Sequence, residues 1–247
     1  MKILLCNDDG IESNGIRVLA NALAKNHEVL VIAPNTNRSA ISHSLTIRKK
    51  IQINKENLDG CKAYSISGTP ADCVKVARLL FKDFIPDVVV AGINKAHNIG
   101  SDIMYSGTVA ICYEASFFGH VGFAFSAHSL GESNFELYSK YVEEIINKFL
   151  PLSEKGDIWN VNFPDESLGD IKGIKITPLG RQLYSDFYEK IGENEYVLDG
   201  ELVKHSQNPA DCDVEWTNKG YITVTPLLFN RTDYKKIGYV TEKCKEL

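Results

Sequence analysis

Apolar positions change period repeatedly over the first 150 residues. "KILLC" (2–6) and "PDVVVAG" (86–92) are unbroken apolar runs of strand length. "GIRVLANALAK" (15–25) instead sets Ile16, Leu19, Ala20 and Leu23 on one helical face. "HEVLVIAP" reads as a second strand ended by Pro34, and a polar loop, "NTNRSAISHS" (35–44), follows. "LTIRKKIQI" (45–53) alternates as a half-exposed strand, and "CKAYSISG" (61–68) as another. "TPADCVKVARLLF" (69–81) opens with a Thr cap and a first-turn Pro, so a helix is predicted there. Further along, "SGTVAICYEASFFG" (106–119) and "NFELYSKYVEEIINKFL" (134–150) read as helices on either side of a strand, "VGFAFSA" (121–127). Strands alternating with helices predict an α/β fold with a mostly parallel sheet and right-handed crossovers.

After Pro151 the texture changes. "DIWNVNFP" (157–164) reads as the last core strand. "GIKITPL", "RQLYSDFYEK", "EYVLDG" and "GYITVTPLL" are short and rich in β-branched and aromatic residues. They read as hairpins, an arm projecting from the core. The expected division is a core over 1–178 and an arm with a final strand and helix over 179–247.

Composition narrows the function. The chain has 247 residues, 44% hydrophobic and 24% charged, enough for one α/β domain with an appendage. Net charge is −5 and "IRKK" (47–50) is the one basic cluster, which disfavours a nucleic-acid polymer as partner. The opening apolar run is too short for a signal-peptide core, and no run is long enough to span a membrane. Six cysteines are scattered without a C-x-x-C pair, as expected of reduced thiols in a cytoplasmic protein.

Chemistry concentrates in three loops that follow strands. The first holds Asn7, Asp8, Asp9 and Gly10. The second holds Asn35, Asn37, Arg38, Ser39 and Ser42. The third holds Asn94, His97, Asn98 and Asp102, then Ser106, Gly107 and Thr108. In an open parallel sheet, ligands bind at the carboxyl ends of the strands, where these loops would meet. Adjacent carboxylates repel one another, and a hard divalent cation, Mg²⁺ or Mn²⁺, would relieve that with Asn and Ser oxygens completing its shell. Taken alone, Asp-Asp-Gly reads as a turn or a helix cap; its placement after a buried strand, facing two other polar loops, shifts the reading toward a site. Ser106-Gly107-Thr108 opens a helix and suits a phosphate, though a plain N-cap has the same sequence. His97 is a candidate proton carrier. Walker, G-x-G-x-x-G and G-x-S-x-G patterns are absent.

"ILLCNDDG", "APNTNRSAISHSLT", "SGTPADCVKVA", "AGINKAHNIGSDIMYSGTVAICYEA", "VNFP" and "GYITVTPL" occur in order from residue 3 to about 228. Together they resemble the SurE family of survival-protein phosphatases and nucleotidases. The resemblance implies a Rossmann-like three-layer core and a C-terminal β-hairpin arm exchanged between subunits of a homodimer or homotetramer. It implies hydrolysis of nucleoside monophosphates with one divalent metal ion, by in-line attack of a metal-bound water. It leaves open 3′-nucleotides and polyphosphate as substrates. The implied metal ligands are Asp8, Asp9, Ser39 and Asn94, with Asp8 and Asp9 as the catalytic pair. The implied phosphate contacts are Asn94, Asn98, Ser106, Gly107 and Thr108. This chain departs from the family pattern at Ala40, Ala91, Ala96 and His97, none of which removes a ligand oxygen; Ala96 would reshape the pocket.

Two other classes compete. A zinc deacetylase that carries Asp-Asp after its first strand needs histidine ligands beside it, where this chain has Cys6 and Asn7. A metal- or nucleotide-sensing receiver-like domain needs a phosphoacceptor Asp after a core strand, and "VVVAGIN" offers none.

Overall fold

The computed structural model describes residues 1–128, 134–203 and 208–244. Six strands run parallel through the centre: β1 (Lys2–Cys6), β2 (Glu28–Pro34), β4 (Lys62–Ile66), β5 (Val88–Asn94), β6 (Gly122–Ser126) and β7 (Ile158–Asn162). β3 (Ile53–Glu56) pairs antiparallel with β4 at one edge. β11 (Ile222–Leu227) pairs antiparallel with β7, and β8 (Ile174–Ile176) lies parallel to β11. The order is β3-β4-β2-β1-β5-β6-β7-β11-β8.

Alternation along the strands divides the core. Ile3 and Leu5 of β1 face one side, with Ile16 and Leu19 of α1 (Asn14–Leu23) and Val142 and Ile145 of α4 (Phe135–Phe149). Leu4 and Cys6 face the other, with Val74 of α2 (Pro70–Leu80) and Val109 and Ile111 of α3 (Gly107–Phe117). Successive strand side chains point to opposite faces, so a strand buried on both sides reads as an unbroken apolar run. α2 begins as the sequence predicts. Thr69 accepts from the Asp72 N–H, Asp72 accepts from the Thr69 N–H, and Pro70 occupies the first turn.

Two expectations are corrected. The segment 45–52 is not a strand; pairing starts at Ile53, and Arg48, Lys49 and Lys50 are exposed in the preceding loop. β4 already has β2 on its other side, and backbone bonds such as Thr46 N–H to the Asp72 carboxylate hold the segment off the ladder. Nor is β7 the last core strand. β11, read from sequence as part of the hairpins, returns to pair with it.

β9 (Leu183–Lys190) and β10 (Tyr196–Val203) form a separate two-stranded antiparallel ribbon, with Leu183 opposite Val203 and Lys190 opposite Tyr196. A short helix, α5 (Asp213–Thr217), follows, and α6 (Tyr234–Cys244) ends the described chain. No described helix is long and apolar enough to cross a membrane.

Candidate active site

A cleft of about 530 Å³ opens at the carboxyl edge of the sheet. Its lining brings together Asp8 and Asp9 after β1, Asn37 and Ser39 after β2, and Asn94, His97 and Asn98 around the end of β5, with Ser106 at the start of α3. Of the residues expected to hold metal or phosphate, Gly107 and Thr108 lie off the lining, buried against Asp8.

The Asp-Asp turn is held from within. Asn7 donates through Nδ2 to the Gly10 carbonyl and to Ser13 Oγ, and accepts from the Gly10 N–H. Asp8 is 4% exposed, and Thr108 Oγ1 donates to its Oδ1 at 2.5 Å. Burial pushes the Asp8 carboxyl up to about 6; the Thr108 bond opposes this and the Asp9 charge adds to it. Asp9 is raised by burial and eased down by the Lys95 N–H, which donates to its Oδ2 at 3.3 Å. Its Oδ1 accepts from Asn37 Nδ2 at 3.4 Å.

The pairing of β5 with β6 shifts register between Ala91 and Asn94, which brings Asn94 opposite Ser126. Such irregularities re-aim side chains at strand ends. The Asn94 amide nitrogen donates to the Ala96 carbonyl, leaving Oδ1 as an acceptor. Asn98 is clamped by β7, a contact that sequence reasoning missed. Its N–H donates to Asn162 Oδ1, its carbonyl accepts from Asn160 and Asn162, and its own Nδ2 donates to Ser126 Oγ. The available signal is the pair of asparagines two apart in "WNVNF", on one face of a buried strand.

His97 does not suit the proton-carrier role. Burial lowers its pKa to about 4, and its Nε2–H donates to the Phe163 carbonyl at 2.6 Å. It is a neutral brace between the third loop and the end of β7.

The second loop is anchored at several points. The Arg38 N–H donates to the Asp8 carbonyl, Ser42 binds Met104 and Tyr105 carbonyls, and His43 meets Glu114 of α3 at 2.8 Å. Lys75 of α2 reaches the same carboxylate at 2.6 Å. Burial alone would raise the Glu114 pKa, but these two partners hold it below the ordinary range. The loop carries strain. Ala40 and Ser42 sit at φ 55° and 54°. A left-handed conformation costs an L-residue with a Cβ about 1–2 kcal/mol, partly offset by glycine's greater freedom in the unfolded chain. Ala40→Gly is therefore expected to stabilise by about 0.5–1 kcal/mol, a rise in Tm of about 1–4 °C in a thermal melt. An unchanged or lowered Tm would show that the loop relaxes in solution.

α3 supplies the anion-facing element. Ser106 caps it, accepting from the Val109 N–H at 3.0 Å, which leaves its own hydroxyl proton to donate. No acidic residue occupies the first turn, so the positive end of the helix dipole is not neutralised locally. Gly107 is required by close approach. A Cβ there would lie 2.8 Å from Asp8 Cβ and 2.9 Å from Asp8 Oδ2.

An open, mostly parallel sheet with an oxygen-lined cleft at its carboxyl edge defines a Rossmann-like α/β protein. Comparison with known proteins gives the family. The model of the family described as Survival protein SurE matches residues 3–186. The 5′-nucleotidase SurE of Clostridium botulinum (strain Alaska E43 / Type E3) is 39% identical over 249 residues, covering 97% of this chain and 98% of that protein. The 5′-nucleotidase SurE of Clostridium tetani is 40% identical, covering 98% and 99%. The crystal structure of the SurE protein from Aquifex aeolicus matches with a TM-score of 0.85 at 34% identity, covering 98% of this chain and 99% of that one. The chain belongs to the SurE family.

Proposed function

We propose that the protein is a divalent-metal-dependent 5′-nucleotidase that hydrolyses nucleoside monophosphates. The supporting observation is that two adjacent carboxylates, Asp8 and Asp9, share one cleft lining with Ser106, the cap of α3, and that Asp8 packs against the start of that helix. The names of the curated relatives support the same activity.

The donor set fits a hard cation. Asp8 and Asp9 are adjacent and desolvated, and Asn94 keeps a free carbonyl oxygen on the same lining as Ser39. Among the described residues no group of three or more His, Cys, Asp and Glu is arranged for a metal, so two ligands would be amide and hydroxyl oxygens. Asp8, Asp9, Ser39 and Asn94 would hold one Mg²⁺ or Mn²⁺. Bound there, such an ion supplies Lewis acidity to a phosphoryl oxygen and acidity to water.

The remaining work falls to the chain. Ser106 donates its hydroxyl, and the first N–H groups of α3 their dipoles, to phosphate oxygens where charge builds. Asn98, fixed by β7, offers its remaining amide proton. Water adds to phosphorus in line, the bond to the nucleoside oxygen breaks, and that oxygen leaves as the hydroxyl after taking a proton from solvent. We assign the proton of the attacking water to Asp8, which Thr108 holds in place. The free cysteines fit a reducing, cytoplasmic setting.

A panel of nucleoside 5′- and 3′-monophosphates, with Mg²⁺, Mn²⁺ or chelator, tests the reading. Phosphate release is expected from 5′-monophosphates, lost with chelator and restored by metal. Absence of release from every nucleotide would overturn it.

The arm bears on assembly. Leu183, Phe187, Tyr188, Tyr196, Leu198 and Leu202 are exposed along the ribbon, and α6 buries none of its residues. A two-stranded ribbon is marginal alone in water, and an apolar patch of this kind marks an interface. Its expected cover is the same surface of a second copy in a closed, symmetric dimer or tetramer. Light scattering should then give two or four times 27.5 kDa. A monomer mass at micromolar concentration would show that the arm stays uncovered.

A further inference from the structure

The cleft is much larger than a phosphate group, and its lining divides chemically. Besides the carboxylates and α3 it includes Asp102, Tyr105 and Tyr184. Tyr105 stands one residue before the α3 cap and is 65% exposed; Tyr184 belongs to β9 and is 45% exposed. Neither ring stacks on an aromatic or cationic partner among the described residues. Open aromatic faces on a cleft beside an anion site are what a nucleobase stacks upon.

The arm's root is fastened so that Tyr184 stays there. Three consecutive residues of the third loop reach the C-terminal segment. The Gly100 N–H donates to Asp213 Oδ2 at 2.8 Å, and the Gly180 N–H donates to Oδ1 of the same buried carboxylate at 2.6 Å. Ser101 Oγ donates to the Gln182 carbonyl at 2.6 Å and accepts from the Gln182 N–H at 2.9 Å. Tyr184 Oη donates to Asp102 Oδ2 at 2.7 Å. This last bond uses one oxygen of Asp102, a residue of the cleft lining, and leaves Oδ1 as an acceptor.

We infer that Tyr105 and Tyr184 form the nucleobase-holding wall of the cleft, with Asp102 accepting a hydrogen bond from an exocyclic amino group of the base. The inference rests on the nucleotidase reading for its ligand class, and it names the residues that distinguish a nucleotide from a simple phosphomonoester. Tyr184 touches the base directly. Its hydroxyl also orients Asp102, so the arm's first strand contributes to substrate choice.

The test compares the intact protein with Tyr105→Ala, Tyr105→Phe, Tyr184→Ala and Tyr184→Phe. Both tyrosines are exposed, so truncation leaves the core packing untouched. kcat/KM is measured for adenosine 5′-monophosphate and for ribose 5-phosphate, which lacks the base. Adenosine and ribose binding are measured by calorimetry, independently of hydrolysis and of metal. Each alanine variant should lose about tenfold in kcat/KM for the nucleotide, mainly through KM, and about tenfold in adenosine affinity. Ribose 5-phosphate hydrolysis should not change. Tyr105→Phe should match the native protein, and Tyr184→Phe should keep stacking while weakening the amino-group preference. Equal losses on both substrates, or native adenosine affinity in both alanine variants, would overturn the inference. Adenosine bound no more tightly than ribose by the native protein would do the same. If adenosine binding falls as expected while neither phosphate ester is cleaved, the nucleotidase reading fails and the wall stands.

Discussion

Asp8→Asn is expected to lower kcat/KM for nucleoside monophosphates by on the order of 10²-fold or more, since changes even to partners of metal ligands cost 10–100-fold. The substitution keeps shape and volume but removes the charge that a divalent cation would require. Thr108 still has an oxygen to donate to, so the local fold should survive. Stability separates this account from simple damage. Asp8 is buried, and its carboxyl is raised to about 6, so its ionised form opposes folding at neutral pH when no metal compensates. In chelator, Asp8→Asn should therefore melt no lower than the native protein. With Mn²⁺ the order should reverse, because the native protein gains binding energy that the variant lacks. Native activity in Asp8→Asn, or full activity of metal-stripped protein, would sink the proposal.

Gly107→Val is expected to damage both the fold and the site. A Cβ at this position already meets Asp8 Cβ at 2.8 Å, Asp8 Oδ2 at 2.9 Å and Pro70 Cγ at 3.1 Å. None of these is the free end of a flexible chain. Asp8 is fixed at the end of β1, and Pro70 is locked in the first turn of α2. Either α3 moves away from the sheet or the carboxylate swings off Thr108. Overpacking of this kind costs about 1–3 kcal/mol, and a displacement of about 1 Å at a reacting group can cost about 10²-fold in rate. Gly107→Ala should show a smaller version of both effects. Ser106→Ala is the control: it should cost about 1 kcal/mol as a lost cap without displacing Asp8. A Gly107→Val protein with native Tm and native kcat/KM would show that the carboxylate and α3 do not pack as described.

Much of the site was legible because it consists of local chemistry on predictable loops. Apolar runs locate the ends of β1, β2 and β5. The polar residues just beyond them, Asp8, Asp9, Ser39 and Asn94, must then share one edge of a parallel sheet. Ser106 before an apolar helical run is a cap on any reading. Gly107, read as part of a phosphate turn, also makes room for Asp8. His97, read as a candidate proton carrier, is a neutral brace.

By itself the sequence determined the strand and helix alternation, the capped start of α2 and the oxygen-rich character of the three loops. These follow from periodicity, from proline and hydroxyl caps, and from residue type, all properties of a few neighbouring residues. Tertiary structure alone decided that β11 returns beside β7, that segment 45–52 stays off the sheet, and that Asn160 and Asn162 clamp Asn98 from 62 and 64 residues away. It also decided that Asp213 ties Gly100 to Gly180 and that Thr108 serves Asp8 across 100 residues. Such pairings are chosen by which buried polar groups find partners once the sheet closes. That is a condition on the whole chain, and no short stretch of it carries the answer.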